Sequence, residues 1–155
     1  MKPIKWLMLA ILCAASAQAQ DAPAYHPGVG DLMTALVQPR HIKLWIARQK
    51  GNWDYAEYER KNLAEMLAKV GKNTPVYRKL DLPSLISSST GDQLTQLQAA
   101  IKAKDGAAFD KAYASLTEGC NSCHQATGQG AVHIKVPTSP DGAFIDQDFS
   151  PQPSP

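Results

Sequence analysis

Five consecutive residues have the types and spacing that attach a haem covalently. Cys120, Asn121, Ser122, Cys123 and His124 form the pattern Cys-x-x-Cys-His, which is the attachment motif of c-type haem. On a helix, residues three apart lie on one face, so both thiols can reach the two vinyl groups of one porphyrin. His124 lies about 100° further round the helix and can ligate the iron from the proximal side. The motif therefore predicts one covalent haem c.

Other chemistries also use a closely spaced cysteine pair. In an oxidising compartment the pair could form a small disulfide, and in the cytosol it could be a redox motif or half of a zinc site. A thioredoxin-like pair opens a helix after a strand, whereas this pair ends a helical pattern. A closed zinc site needs four ligands, and the sequence has no second cysteine pair. Neither alternative explains His124, so haem attachment is favoured.

The first residues of the chain have the pattern of a secretory signal peptide. A basic start precedes an apolar run over residues 6–15 and a small-residue cleavage site, Ala17-Gln18-Ala19. We therefore expect residues 1–19 to be removed, together with Cys13, and the mature protein to be soluble and periplasmic. The apolar run is shorter than the roughly 20 residues of a membrane-spanning helix, so we expect no membrane span.

Removal of the signal peptide changes the charge balance. The full chain has 16 basic and 14 acidic side chains, and the signal peptide contains two of the lysines and no acid. The remaining 136 residues are formally neutral, which gives no reason to expect a nucleic-acid partner. They contain only the two motif cysteines and have the length of a single domain.

Apolar residues recur at helical spacing in four segments of the chain. The predicted helices cover residues 31–49, 53–70, 91–104 and 106–125. Because connections are short, we expect an all-α fold, an antiparallel four-helix bundle over residues 31–125. A lead-in over residues 20–30 precedes it, and residues 74–83 form a proline-containing connector. A mostly irregular C-terminal extension, residues 126–155, follows, with residues 131–136 as a candidate short strand.

Local signals place the ends of these helices. Asn52 and Asp105 are suited to cap the second and fourth helices, and Thr90 begins a capping-box pattern for the third. Gly71 is placed to end the second helix. Pro39 lies inside the first helix without an amide to donate, so we expect a kink there that opens room beside a bulky cofactor.

The number and order of the helices, with the cysteine motif on the last one, resemble the cytochrome c′ family and its low-spin relatives. The resemblance covers residues 30–125. It implies an exported four-helix bundle in which Cys120 and Cys123 are bound to haem and His124 is the proximal iron ligand. Low-spin members use a methionine early in the first helix as the other ligand, and Met33 has that position here.

Two further features bear on this resemblance. Residues 40–45 and 52–57 resemble a separate branch of exported haem proteins with the same helix plan, and the long C-terminal extension departs from the cytochrome c′ pattern.

Arg40 and Lys43 could pair with the haem propionates, whose charges need partners when partly buried. A solvated basic face on the first helix is the alternative for these two residues.

The residue on the distal side of the iron is the main open choice at the site. In an antiparallel bundle the start of the first helix lies beside the end of the last, which favours Met33 as distal ligand or as a residue that packs there. His41 lies eight residues further on, about 12 Å along the axis, so we expect a hydrogen-bonded structural residue away from the iron. Met66 and His133 are further ligand candidates.

Three apolar residues of the extension could cover an exposed haem edge: Phe144, Ile145 and Phe149.

Electron transfer is the function that these features favour. The alternatives are a five-coordinate haem protein that senses or scavenges nitric oxide or carbon monoxide, and a small haem peroxidase. The sixth iron ligand distinguishes them, because electron transfer favours a filled coordination sphere. The spacing of polar residues suggests no catalytic set, so we expect no enzyme. The expected partner is a redox protein or a small gas ligand, and a homodimer is compatible with the sequence.

Overall fold

The computed structural model describes residues 25–139. Most of this part is helical, and the fold is all-α with one short hairpin. In chain order the elements are α1 Val29–Leu32, a π-helical segment Met33–Val37, α2 Gln38–Gln49, α3 Trp53–Asn73, β1 Val76–Tyr77, β2 Leu80–Asp81, α4 Leu82–Ala103 and α5 Gly106–Ala126. The predicted signal peptide and three apolar residues of the extension lie outside the described residues: Phe144, Ile145 and Phe149.

The first three elements form one unbroken helical stretch over residues 29–49. The amide of Gln38 donates to the carbonyl of Met33, five residues back, which makes this turn π-helical. Pro39 follows in the first turn of α2 and has no amide to donate to Ala35. The irregularity expected at Pro39 therefore takes the form of a wider helical turn directly before it.

Helix α3 begins where the sequence predicts and ends later. The side-chain oxygen of Asn52 accepts the amide of Tyr55 at 3.0 Å, which confirms the predicted cap. The prediction that Gly71 ends the helix is wrong, because α3 continues to Asn73. A Cβ atom on Gly71 would lie 3.1 Å from the Cα atom of Pro83. The absence of a side chain at Gly71 thus allows close packing against the start of α4.

The connector between α3 and α4 contains a hairpin that the sequence analysis did not predict. Strands β1 and β2 are antiparallel and are joined by Arg78 and Lys79. Both residues have a left-handed backbone conformation, with φ angles of 50° and 69°. Two successive positive φ angles are typical of the type I′ turn, which matches the twist of the two strands. Gly and Asn dominate such turns, so Arg78 and Lys79 gave no signal for it.

Helix α4 is one helix of 22 residues and starts well before the predicted position. Asp81 caps it by accepting the amide of Ser84 at 3.0 Å, and Pro83 lies in its first turn. The prediction that Thr90 caps this helix is wrong. Thr90 lies in the middle of α4, where its hydroxyl donates to the carbonyl of Ile86 at 2.8 Å.

Helix α5 carries the cysteine motif at its end, close to the predicted bounds. Asp105 caps it as predicted and accepts the amide of Ala108 at 3.0 Å. Phe109, Tyr113 and Cys123 are buried on the same helix. The motif therefore continues the buried face of α5, as its helical spacing predicts.

The long helices pack against their neighbours in the chain, α2 on α3, α3 on α4 and α4 on α5. Helices α4 and α5 approach closely at Gly119, where a Cβ atom would overlap the carbonyl oxygen of Ser89. His41 on α2 is hydrogen-bonded to Tyr113 and Thr117 on α5. Within residues 25–139, no helix is both long and apolar enough to cross a membrane.

Candidate haem site

A cavity of about 250 Å³ lies beside the end of α5. The first helical stretch and the residues that follow α5 contribute to its wall, with further residues from α3 and α4. Cys120, Cys123 and His124 all line this cavity, so the three motif residues with predicted roles share one space. The apolar part of the lining is Val29, Val37, Leu63, Leu67, Leu82, Ile86, Leu116, Val132 and Ile134. A largely apolar wall suits the hydrophobic plane of a porphyrin.

Both motif cysteines are free thiols. Burial, and then the neighbouring Cys123, raises the pKa of the Cys120 thiol to about 11. Burial also raises the pKa of the Cys123 thiol. Both groups are therefore protonated and uncharged at neutral pH. Because a thioether forms when a thiol adds across a vinyl double bond, a reduced pair is the state that haem attachment requires.

The ring of His124 is held by a backbone carbonyl. Its Nδ1 atom lies 2.7 Å from the carbonyl oxygen of Val132. Since a carbonyl oxygen only accepts hydrogen bonds, the proton is on Nδ1. The other nitrogen, Nε2, then keeps its lone pair and is the atom suited to bind iron.

Residues 128–136, here called the strap, run back over the end of α5. Asn121 makes two hydrogen bonds to one strap residue: its Nδ2 donates to the carbonyl of Ile134 at 2.9 Å, and its Oδ1 accepts the amide of Ile134 at 2.8 Å. The strand expected over residues 131–136 does not form. The backbone there pairs with a side chain instead of a neighbouring strand.

The strap also contacts the hairpin. The side-chain amide of Gln129 donates to the Tyr77 hydroxyl at 3.0 Å, and Nη1 of Arg78 donates to the carbonyl of Gly128 at 3.4 Å. Neither Asn121 nor Gln129 has a role predicted from the sequence. For Asn121 a signal existed, because it lies four residues after Thr117 on the buried face of α5. For Gln129 there was none, since its partner is 52 residues away.

The structure brings one of the three other ligand candidates to the cavity. Met33 is half-buried in the π-helical segment and lines the cavity. Met66 is buried in the apolar core and does not line the cavity. His133 is exposed, and it does not line the cavity either. Of these three candidates, Met33 alone lines the cavity, and its ligation of iron stays a prediction.

His41 lies on the cavity wall, and its expected position away from the iron stays a prediction. Its Nδ1 lies 2.9 Å from the Tyr113 hydroxyl and its Nε2 lies 3.0 Å from the Thr117 hydroxyl. Both ring nitrogens are thus engaged, in agreement with the predicted structural role. Burial lowers the pKa of His41 to about 4, so the ring is neutral at pH 7.

Arg40 and Lys43, the predicted propionate contacts, do not line the cavity. Nη1 of Arg40 lies 3.7 Å from Oε1 of Glu59, a fully buried carboxylate that also accepts the Tyr55 hydroxyl at 2.7 Å. The charge of Arg40 therefore has a partner within the protein. Contacts from Arg40 and Lys43 to propionates stay predictions.

Within residues 25–139, no group of three or more His, Cys, Asp or Glu side chains could hold a metal ion by itself. A haem needs no such group, because its porphyrin supplies four nitrogens and the protein adds the axial ligands.

Comparisons of the chain with protein-family models, with curated proteins and with solved structures find no match. The chemistry of the site itself therefore carries the functional argument.

Proposed function

We propose that this protein is a periplasmic c-type cytochrome that holds one covalent haem c and acts in electron transfer. The observation that carries the proposal is that Cys120, Cys123 and His124 line one largely apolar cavity. Bound haem would supply an iron that changes its charge by one electron. Thioethers at the two cysteines would keep the group in place in both oxidation states.

The fold that accompanies this proposal is an antiparallel four-helix bundle of the cytochrome c′ type. The helical stretch over residues 29–49 would be its first helix, followed by α3, α4 and α5. Packing of each long helix on the next supports this arrangement. The hydrogen bonds from His41 to α5 support it further, because they join the first helix to the last.

The proposed function gives different roles to the residues that line the cavity. His124 would hold the iron through Nε2, while the Val132 carbonyl accepts a hydrogen bond from the opposite ring nitrogen. Met33 would offer a thioether sulfur as the second protein ligand, and such a ligand would favour electron transfer over binding of a gas. The apolar wall would limit the access of water to a bound haem, which would influence its reduction potential.

Haem attachment is tested by expressing the full chain together with a bacterial c-type haem attachment system. We expect the exported protein to be red and to keep its colour after extraction with acidified acetone, because thioethers survive that treatment. The Cys120→Ala, Cys123→Ala double variant should lose the colour on extraction. Cys13→Ala is the matched control and should stay red, since Cys13 lies within the predicted signal peptide. A colourless wild-type protein, or one with a disulfide between the motif cysteines, would overturn the proposal.

A further inference from the structure

The strap is fixed to the end of α5 at several points. Asn121 is 9 % exposed, and both polar atoms of its side chain are used by the backbone of Ile134. At the other end of the strap, the amide of Gln129 donates to the carbonyl of His124 at 2.7 Å. The amide of Val132 then donates to the carbonyl of Gln129 at 2.8 Å. The strap is thus hydrogen-bonded near its start to the backbone of His124 and near its end to the side chain of Asn121.

These hydrogen bonds restrict the position of the Val132 carbonyl. Val132 is two residues from Ile134, a span of at most about 7 Å in an extended chain. Because Asn121 holds Ile134 through both its amide and its carbonyl, the Val132 carbonyl has little freedom to leave the His124 ring. The side chain of Val132 is 51 % exposed, so the contact depends on its backbone position and not on side-chain packing.

We propose that Asn121 is a positioning residue for the iron ligand: it pins the strap so that the Val132 carbonyl holds Nδ1–H of His124 and leaves Nε2 to bind iron. This inference rests on the proposed function. Asn121 acts through the strap and touches neither iron nor porphyrin in this role. A hydrogen bond from the far nitrogen orients a ligating histidine and increases its basicity. A more basic ligand stabilises the oxidised iron, so the strap lowers the reduction potential.

The test compares Asn121→Ala with Ser122→Ala in the haem-loaded full chain. Both residues lie between the two cysteines, but Ser122 is exposed and its hydroxyl donates to the Glu118 carbonyl within α5. We expect Asn121→Ala to raise the reduction potential. It should also speed amide hydrogen exchange in the strap by about tenfold or more, because two hydrogen bonds are lost. Ser122→Ala should change neither quantity.

A second variant keeps the test decisive if Asn121→Ala attaches haem poorly. Ile134→Pro removes the amide that Asn121 accepts, yet it lies outside the motif. It should raise both the potential and the strap exchange rate relative to Ile134→Ala, which shortens the same cavity-lining side chain but keeps the amide. Faster exchange without a change in potential would overturn the positioning role, as would no change in either quantity. A colourless wild-type protein would instead overturn the proposed function.

Discussion

At the scale of single residues, the buried His41 links two helices through both of its ring nitrogens. The Tyr113 hydroxyl also lies 2.8 Å from the backbone carbonyl of His41, and the two ring centroids are 4.6 Å apart. A charged imidazolium would have to donate from both nitrogens with little water nearby. Burial therefore lowers the pKa of His41 to about 4. The neutral ring is part of what holds α2 against α5.

The lowered pKa of His41 predicts an acid-sensitive fold. Because the folded-state pKa lies below the ordinary 6.5, the unfolded chain takes up this proton first as the pH falls. The contribution of His41 to the free energy of unfolding is complete above pH 6.5 and is lost between pH 6.5 and about 4. Its size is on the order of 3 kcal/mol. Urea unfolding of the haem-loaded protein at a series of pH values measures it.

Two histidine variants isolate this contribution from that of the carboxylates. His41→Gln should flatten the dependence of unfolding free energy on pH across this window. His133→Gln replaces an exposed histidine and should keep the slope of the wild type. Equal slopes in the wild type and His41→Gln would contradict the assignment to His41.

Met33 gives a second prediction at this scale, since its sulfur is the candidate for the sixth iron ligand. In the oxidised protein we expect a methionine–iron charge-transfer band near the red end of the absorption spectrum. Met33→Ala should abolish it. Met66→Ala should keep the band, because Met66 lies in the core and away from the cavity. A high-spin spectrum that Met33→Ala leaves unchanged would reject ligation and favour binding of nitric oxide or carbon monoxide over electron transfer.

At the scale of elements, helix ends that depend on neighbouring residues could be predicted from the sequence. Asn52 and Asp105 cap the amides of residues only three positions ahead. The start of α4 has a similar local signal in Asp81 followed by Pro83, although both residues fall in the connector predicted over residues 74–83. Inside α4 the hydroxyls of Ser88 and Thr90 donate to carbonyls of the preceding turn, so both are satisfied without ending the helix.

Features that depend on distant residues could not be predicted from local patterns. Gly71 has the composition of a helix end, yet its position is explained by Pro83 on another helix. The residues of the candidate site show the same difference between local and distant signals. Spacing alone identified Cys120, Cys123 and His124, whereas the role of Asn121 depends on a partner 13 residues away in a segment without regular structure.

The contact between α4 and α5 predicts opposite effects for two glycine substitutions. A Cβ atom on Gly119 would overlap the carbonyl oxygen of Ser89, and a backbone atom cannot move without shifting the whole helix. Gly119→Ala should therefore destabilise the protein by about 1–3 kcal/mol. Gly91→Ala lies inside α4 with its nearest neighbour, Ser87 Oγ, at 3.9 Å. It should stabilise the protein by up to about 1 kcal/mol through helix propensity.

Urea unfolding of the two haem-loaded variants measures this difference. The comparison is matched because both substitutions add one methyl group to the interior of a helix. If Gly119→Ala were as stable as Gly91→Ala, the close approach of α4 and α5 at this point would be wrong.

At the scale of the whole molecule, the same helices both build a core and leave a cavity open beside it. Leu44, Leu97 and Phe109 are completely buried where α2, α4 and α5 contribute to that core. Nearer the end of α5, the chain places apolar residues around open space instead of against one another. Such a space weakens the fold unless a hydrophobic group fills it, because the residues that line it lose packing contacts.

The last prediction follows from the size of this cavity. The side chains that line this cavity of about 250 Å³ are mainly apolar and lose packing contacts when it is empty, and a domain of this size is stable by only about 5–15 kcal/mol. The Cys120→Ala, Cys123→Ala double variant, prepared without haem, should therefore keep helical circular dichroism but lose its near-ultraviolet signal and melt over a broad range. The haem-loaded wild type should melt in one sharp transition. A sharp transition with an intact near-ultraviolet signal in the haem-free double variant would mean that the helices close the cavity by themselves, and that the space beside α5 is not built for a cofactor.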